Sequence, residues 1–218
     1  MSRRELQRKR TMTFFIDATR EIIEEEGTKS ITIRKVADKA GFNSATLYNY
    51  FENIDHLIFL AAMRYIKDYV QALPKYIKEA KSSLERFLKI WECFCHYSYN
   101  SPEIYYAIFF ANLDNDFEDY VTQYYNLFPE DLENLEEGLY TMLLRHNIYR
   151  RNMFTLEDCV KEGFFREHEV SDLNELVLLT YEGILARIMK RKDNFEEAVY
   201  KTMKYIKQIV KSYQIKES

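Results

Sequence analysis

The sequence predicts an all-α protein, and three observations carry that reading. Turn-forming residues are scarce, with 5 Gly and 3 Pro in 218 residues. No run of alternating apolar and polar residues stands between turn signals, as strands and hairpins require. Apolar residues instead recur at helical spacing: Leu84, Phe87, Leu88, Trp91, Phe94, Cys95 and Ser98 follow an i, i+3, i+4, i+7 rule, as do Val199, Met203, Ile206, Val210 and Tyr213. At 47% hydrophobic and 16% aromatic residues the chain has ample material for a buried core.

The elements follow in order. A first long helix over 8–26 ends at Gly27. Two short helices, over 33–40 and 44–51, are joined by "AGFN". A fourth over 54–72 closes before Pro74, and another follows over 75–99. Pro102 follows Ser101, a good N-cap, and Pro129 precedes Glu130 and Asp131; each marks the first turn of a helix with acids at its positive end. These starts, with the polar breaks, predict helices over 102–112, 117–127, 130–147, 155–166, 172–190 and 194–214. No internal repeat or low-complexity segment interrupts them.

Charge divides the chain. Residues 1–51 carry ten Lys and Arg against seven Asp and Glu, while the whole chain has a net charge of −4, so the front is basic and the remainder acidic. Such asymmetry points to nucleic acid at the basic end. Three cysteines, Cys93, Cys95 and Cys159, are an odd number and too few for a disulfide framework, which fits a reducing compartment. The first apolar run is only "FFI", so no signal-peptide core is seen. The weakly charged span from Cys93 to Leu113 is broken by Asn100, Ser101 and Pro102 and falls short of a membrane helix. The expectation is a soluble, cytoplasmic protein with no membrane partner.

A helix as short as "GFNSATLYNYF" cannot stand alone in water, since isolated helices below about 12–15 residues are marginal. Two short helices joined by a tight Gly-containing turn form a helix-turn-helix. Val36, Ala37, Ala40, Phe42, Leu47 and Phe51 are spaced to pack the pair against the first helix. Gly41 supplies a left-handed helix end and Asn43 a cap for the next helix. With Leu47 and Phe51 inward, Ala45 and Asn49 turn outward, and Ser44 and Thr46 lie at the exposed N-terminal end. Small hydrogen-bonding residues there, flanked by Tyr48 and Tyr50 for phosphates, suit a major groove of DNA.

From about Thr11 to Leu60 the chain resembles the TetR family of prokaryotic transcriptional regulators. Thr32, the Val36-Ala37 pair, Ala40-Gly41 and Leu47-Tyr48-Asn49-Tyr50-Phe51 match that family's pattern, over roughly a quarter of the chain. The resemblance implies a DNA-binding domain over 1–52 and a helical ligand-binding and dimerisation domain over 53–218. It also implies that Arg34, Ser44, Ala45, Thr46 and Asn49 face bases or nearby backbone, and that Tyr48 and Tyr50 grip phosphates. One departure stands out: where the family often has a Lys before the fourth helix, this chain reads Asn53-Ile54-Asp55. Either nonspecific binding is then weaker, or Arg3, Arg4, Arg8, Lys9 and Arg10 compensate as a mobile arm, each phosphate neutralised adding about 0.9 to the salt slope. With no Arg or Lys on the recognition helix to read guanine, an operator rich in A·T steps is expected, Asn49 reading adenine and Ala45 meeting a thymine methyl.

For the larger domain the resemblance implies a ligand cavity, expected to be lined by Met63, Trp91, Cys95, Tyr99, Phe109, Phe110, Tyr124 and Tyr140 and to suit a flat, apolar or aromatic compound. "ELVLLTYEGILARIM" is apolar nearly all round and needs cover on two sides. A second copy is the simplest cover, because paired reading heads match half-sites about 34–36 Å apart. Leu176, Leu179, Gly183 and Arg187, with Ala198, Thr202, Tyr205 and Ile209, are the expected homodimer seam. The fourth helix is the expected lever, with Met63 and Ile66 feeling the ligand and His56 and Leu57 holding the head; linkage then lowers DNA affinity when ligand binds.

Other chemistries find little support. Cys93 and Cys95 point to different sides of a helix, and neither Cys159 nor the histidines complete a metal spacing. "DNDFED" lacks the Gly and distal Glu of a calcium loop. No triad pattern, glycine-rich phosphate loop or His-Glu-x-x-His is present, so neither a cofactor nor an enzyme is expected. A helical adaptor, or an enzyme with a site assembled from afar, is the alternative class; both leave "TLYNYF" without a role.

Overall fold

The computed structural model describes residues 2–110, 117–133, 135–145, 147–191 and 194–215. Among them every regular element is helical: α1 (Arg3–Glu26), α2 (Ile33–Ala40), α3 (Ser44–Leu47), α4 (Ile54–Ile77), α5 (Ser83–Ser98), α6 (Pro102–Phe109), α7 (Phe117–Leu127), α8 (Glu137–Leu144), α9 (Ile148–Lys161), α10 (Val170–Arg191) and α11 (Phe195–Tyr213), with short 3-10 turns at 28–30, 129–132 and 167–169. Asp114, Asn115 and Asp116 of the "DNDFED" motif lie outside the described residues.

Two compact units emerge, Met1–Lys67 with Phe110–Asp131, and Asp68–Phe109 with Leu132–Ser218. The first, the head unit, holds α1 to α3, α4 as far as Lys67, and α7. In it Phe15, Ile16, Val36, Ala37, Leu47, Leu57 and Leu60 are excluded from solvent. The second, the body unit, is built on α10 and α11, which pack on each other and on α9 and α5 respectively. Leu173, Val177, Tyr181 and Leu185 form the buried stripe of α10 at successive i+4 positions, each with no exposure. Burying side chains of this size stabilises by roughly 1.5–3 kcal/mol apiece.

Several boundaries differ from expectation, each for a local reason. Helix α1 starts at Arg3 because Ser2 and Glu5 form a reciprocal capping box, so Arg3, Arg4, Arg8, Lys9 and Arg10 belong to a helix and are not a mobile arm. Pro74 does not end α4; it sits exposed in the last turn, which runs on to Ile77. Helix α5 begins after Ser82, whose hydroxyl accepts from the Glu85 amide. The helix expected over 130–147 is a 3-10 turn followed by the short α8, and α9 starts at Ile148, capped by the Asn147 side chain on the Arg150 amide at 2.7 Å. Recognition helix α3 is a single turn; hydrogen-bonded turns carry the chain from Tyr48 to Phe51.

Candidate nucleic-acid interface and effector cavity

The reading head is assembled on Phe15. Its ring lies 5.0 Å from Phe42, 5.9 Å from Phe51 in an edge-on pair and 6.3 Å from Tyr50, so one side chain of α1 seats the turn, the helix and its exit. Gly41 takes the left-handed conformation (φ 77°, ψ 28°), and the Phe42 amide closes back on the Ala37 carbonyl at 2.9 Å, ending α2. The Asn43 side chain then accepts from the Ala45 amide at 2.8 Å and starts α3. With Leu47 buried, Ala45, Tyr48 and Asn49 are exposed while Ser44, Thr46 and Tyr50 are half-buried. Arg34 reaches outward, 89% of its side chain in solvent, beside Asp38.

Two further features bear on this surface. Arg8 donates to the Asn49 carbonyl at 2.9 Å and lies over the Tyr50 ring at 5.2 Å, fixing the end of the recognition segment from α1. Lys35 pairs with Glu26, and Lys39 with Glu21 and Glu25, so these two cations of α2 are tied to the acids of α1; the hydrogen bond to Glu25 holds the Lys39 ammonium pKa above its ordinary value. Exposed Arg3, Arg4, Arg8, Arg10 and Arg34 are left to carry positive charge to the outer face.

At the far end of the head, His56 is buried and stacks on Tyr120 at 4.1 Å with planes 5° apart. Its Nδ1 accepts from the Glu52 amide at 3.3 Å and its Nε2 meets Gln123 Oε1 at 2.6 Å, while the Tyr120 hydroxyl donates to Glu52 at 2.8 Å. Burial holds the His56 pKa below 6.5 against the opposing pull of Gln123 and Glu52.

Residues 15–61 match the family model of the bacterial regulatory proteins, tetR family. They span Phe15 and the whole helix-turn-helix. The reading head is similar to the DNA-binding segment of the TetR family. A Haemophilus influenzae protein described as an uncharacterized HTH-type transcriptional regulator is 28% identical over 87 residues, 40% of this chain and 46% of that protein, so the chain matches less than half the length of that curated relative. Solved structures share the fold over nearly the whole chain. The TetR-family repressor FadR of Thermus thermophilus, in complex with lauroyl-CoA, has a TM-score of 0.61 at 10% identity, covering 95% of this chain and 97% of that one. A putative TetR-family regulator from Mesorhizobium loti has a TM-score of 0.60 at 12% identity, covering 99% and 100%.

The body unit holds two adjoining hollows. An open cleft of about 570 Å³ has an apolar floor including Ile77, Leu139 and Phe154 and a charged rim. There Arg86 pairs with Glu136 and Lys161 with Asp158. Sharing Ile90, Met142 and Thr155 with it is a smaller cavity of about 30 Å³, walled by Tyr69, Trp91, Phe94, Phe109, Arg151 and Asn152 among others. A volume of that order holds one water molecule.

Of the eight residues expected around a ligand, Trp91 and Phe109 line this cavity. Cys95 and Tyr99 are buried in the same unit, and the Tyr99 hydroxyl meets Thr202 Oγ1 at 2.6 Å. Met63, Phe110 and Tyr124 fall in the head unit, where the Tyr124 hydroxyl donates to buried Asp131 at 2.5 Å. Tyr140 is 44% exposed on α8 and lines neither of these two hollows, because Leu139, Met142 and Leu143 take the inner face. Sequence reasoning missed Arg151 and Asn152: polar residues do not register in an apolar period, and only the tertiary contacts show that both are buried.

Of the eight expected seam residues, Leu176, Leu179, Gly183 and Arg187 form an exposed row on α10, with Leu179 56% exposed. Tyr205 is exposed and Ile209 half-buried on α11. Ala198 and Thr202 do not reach that surface; both are buried, Thr202 held by Tyr99 and by its own bond to the Ala198 carbonyl. Among the described residues no His, Cys, Asp and Glu cluster could hold a metal, and no helix is long and apolar enough to cross a membrane.

Proposed function

We propose that this protein is a ligand-responsive repressor of the TetR family that binds a palindromic operator in double-stranded DNA as a homodimer and is released by a small apolar or aromatic effector. The observation that carries the reading is the recognition segment: Leu47 and Phe51 anchor it while Ala45, Tyr48 and Asn49 stand in solvent, and Arg8 locks its end. Side chains presented this way from a pinned turn can meet base edges, and the exposed arginines of α1 and α2 can meet phosphates. Asn49 is the adenine reader and Ala45 the thymine-methyl contact, so the operator is rich in A·T steps.

Dimerisation through the exposed row of α10, with Tyr205 and Ile209 beside it, covers the apolar surface and presents two heads to successive grooves. The effector enters the body through the open cleft and settles against Trp91 and Phe109, with Arg151 and Asn152 as polar partners. A neighbour of this fold was solved with lauroyl-CoA, in keeping with a helical body that holds an apolar effector. The protein works in the cytoplasm.

Selection of bound DNA from a random pool with the purified full chain tests the reading. The expected product is an A·T-rich palindrome whose binding weakens steeply with salt. A G·C-rich product removes the base-contact assignment, and no enrichment at low salt removes the DNA-binding role itself.

A further inference from the structure

We propose that the small cavity of the body unit is built to accept an anion, and that the effector is a single carboxylate on an aromatic or short apolar body, bound by Arg151. This rests on the reading of the cavity as the effector site and adds the charge of its occupant.

Arg151 is 7% exposed and carries a guanidinium cation. Removing such a cation from water costs several kcal/mol unless an opposite charge accompanies it. Arg64 of the head unit follows that rule, lying 3.1 Å from the buried carboxylate of Asp131. Arg151 does not: among the described residues no Asp or Glu pairs with it. Its Nε donates to the Arg145 carbonyl at 2.8 Å and its Nη2 to the Leu143 carbonyl at 2.9 Å, and the group lies 5.1 Å from the centre of the Phe109 ring. Two carbonyls at the C-terminal end of α8 and a π face orient the side chain but supply only partial negative charge. Nη1 makes no hydrogen bond to a described residue, and the side chain lines the cavity. A carboxylate laid along the Nη1 and Nη2 edge completes the charge and the donors together.

Asn152 and Thr155 are already committed to other partners. Asn152 Oδ1 accepts from Trp91 Nε1 at 2.7 Å and its Nδ2 donates to Asn174 Oδ1 at 2.6 Å. The Thr155 hydroxyl donates to the Asn152 carbonyl. These bonds hold the tryptophan face in place beside the arginine. The cations of the neighbouring cleft that pair with acids, Arg86 and Lys161, already have their counter-charge. Flat walls from Trp91, Phe94 and Phe109 suit an aryl or short alkyl group. Expansion from about 30 Å³ falls to flexible Met142 and half-buried Phe109, and the shared residues Ile90, Met142 and Thr155 mark the way in from the cleft.

Trp91 is the single tryptophan of the chain and a cavity wall, so its fluorescence reports occupancy. The full chain is titrated with matched pairs: benzoate and benzamide, phenylacetate and phenylacetamide, octanoate and octanamide. The acids are expected to shift the emission at concentrations about tenfold lower than their amides, the scale of a charge-assisted hydrogen-bond pair. In Arg151→Gln, which can still donate to a carbonyl of α8, that preference disappears. Where circular dichroism shows Arg151→Gln unfolded, Arg151→Lys serves, and there the preference shrinks but persists. Equal response to acid and amide in the wild type overturns the anion assignment and leaves the cavity as effector site. Silence to every compound overturns both, and an acid preference that survives in folded Arg151→Gln shows that another group binds the charge.

Discussion

Arg8 and Asn49 are 41 residues apart in sequence and 2.9 Å apart at their hydrogen bond. That contact gives Arg8 a duty apart from the general attraction of a cation for phosphate, because the carbonyls it holds belong to the residues proposed to read DNA. Arg8→Ala is expected to weaken operator binding about fivefold, the worth of one modest hydrogen bond, while leaving the melting temperature nearly unchanged. Fluorescence anisotropy at several salt concentrations separates the two duties. Arg10→Ala, which removes a cation proposed to meet a phosphate, is expected to lower the slope of log affinity against log salt by about 0.9. If Arg8→Ala alters only that slope in the same way, the positioning role is wrong. The sequence could suggest Arg8 as a cation but not as a clamp, since nothing local records what lies across the head.

Among elements, the turn between α2 and α3 tests how tightly the motif is specified. A Cβ built on Gly41 meets nothing within 4 Å, so Gly41→Ala strains only the backbone at φ 77°. The cost is about 1–2 kcal/mol, a fall in melting temperature of roughly 2–8 °C for a chain of this size. A melting curve that does not move contradicts that conformation. Helices α4 and α7 are joined within the head by His56 and its partners Tyr120 and Gln123, and this junction depends on a neutral imidazole whose Nδ1 accepts a hydrogen bond. Its folded pKa lies below 6.5, so the unfolded chain binds more protons in the window between the two values. The stability it contributes is complete above pH 6.5 and drains as pH falls through that window. Melting temperatures from pH 7.5 to pH 5 should fall more steeply for the wild type than for His56→Gln; parallel curves would show that the imidazole has no such role.

For the whole molecule the proposed homodimer rests on one exposed row of α10. Leu176 and Leu179 are 42% and 56% exposed on a helix whose other face is the core of the body unit. Exposed leucines in a row are costly in water unless a partner covers them. Leu179→Glu leaves the buried stripe untouched, so the chain should fold, elute as a monomer in size-exclusion chromatography with light scattering, and bind the operator at least about tenfold more weakly for want of a second head. A dimer retained by this variant places the seam elsewhere. The expected seam through Ala198 and Thr202 shows the limit of helical phase: both share a side of α11 with Tyr205 and Ile209, yet these small residues are buried, Thr202 against Tyr99, where larger ones emerge.

The all-helical class, the helix-turn-helix and its Gly41 and Asn43 caps, and the inward and outward faces of the recognition segment were all determined by the sequence alone. These depend on neighbours within a few residues, through periodicity and capping. Tertiary structure decided the rest. It alone made Phe15 the seat of the head, set Arg8 on the Asn49 carbonyl, carried α4 past Pro74, and buried Arg151 and Asn152 in an aromatic wall. Each of those outcomes joins residues distant along the chain, and burial of a polar side chain is settled by which partners reach it, a quantity no local pattern encodes.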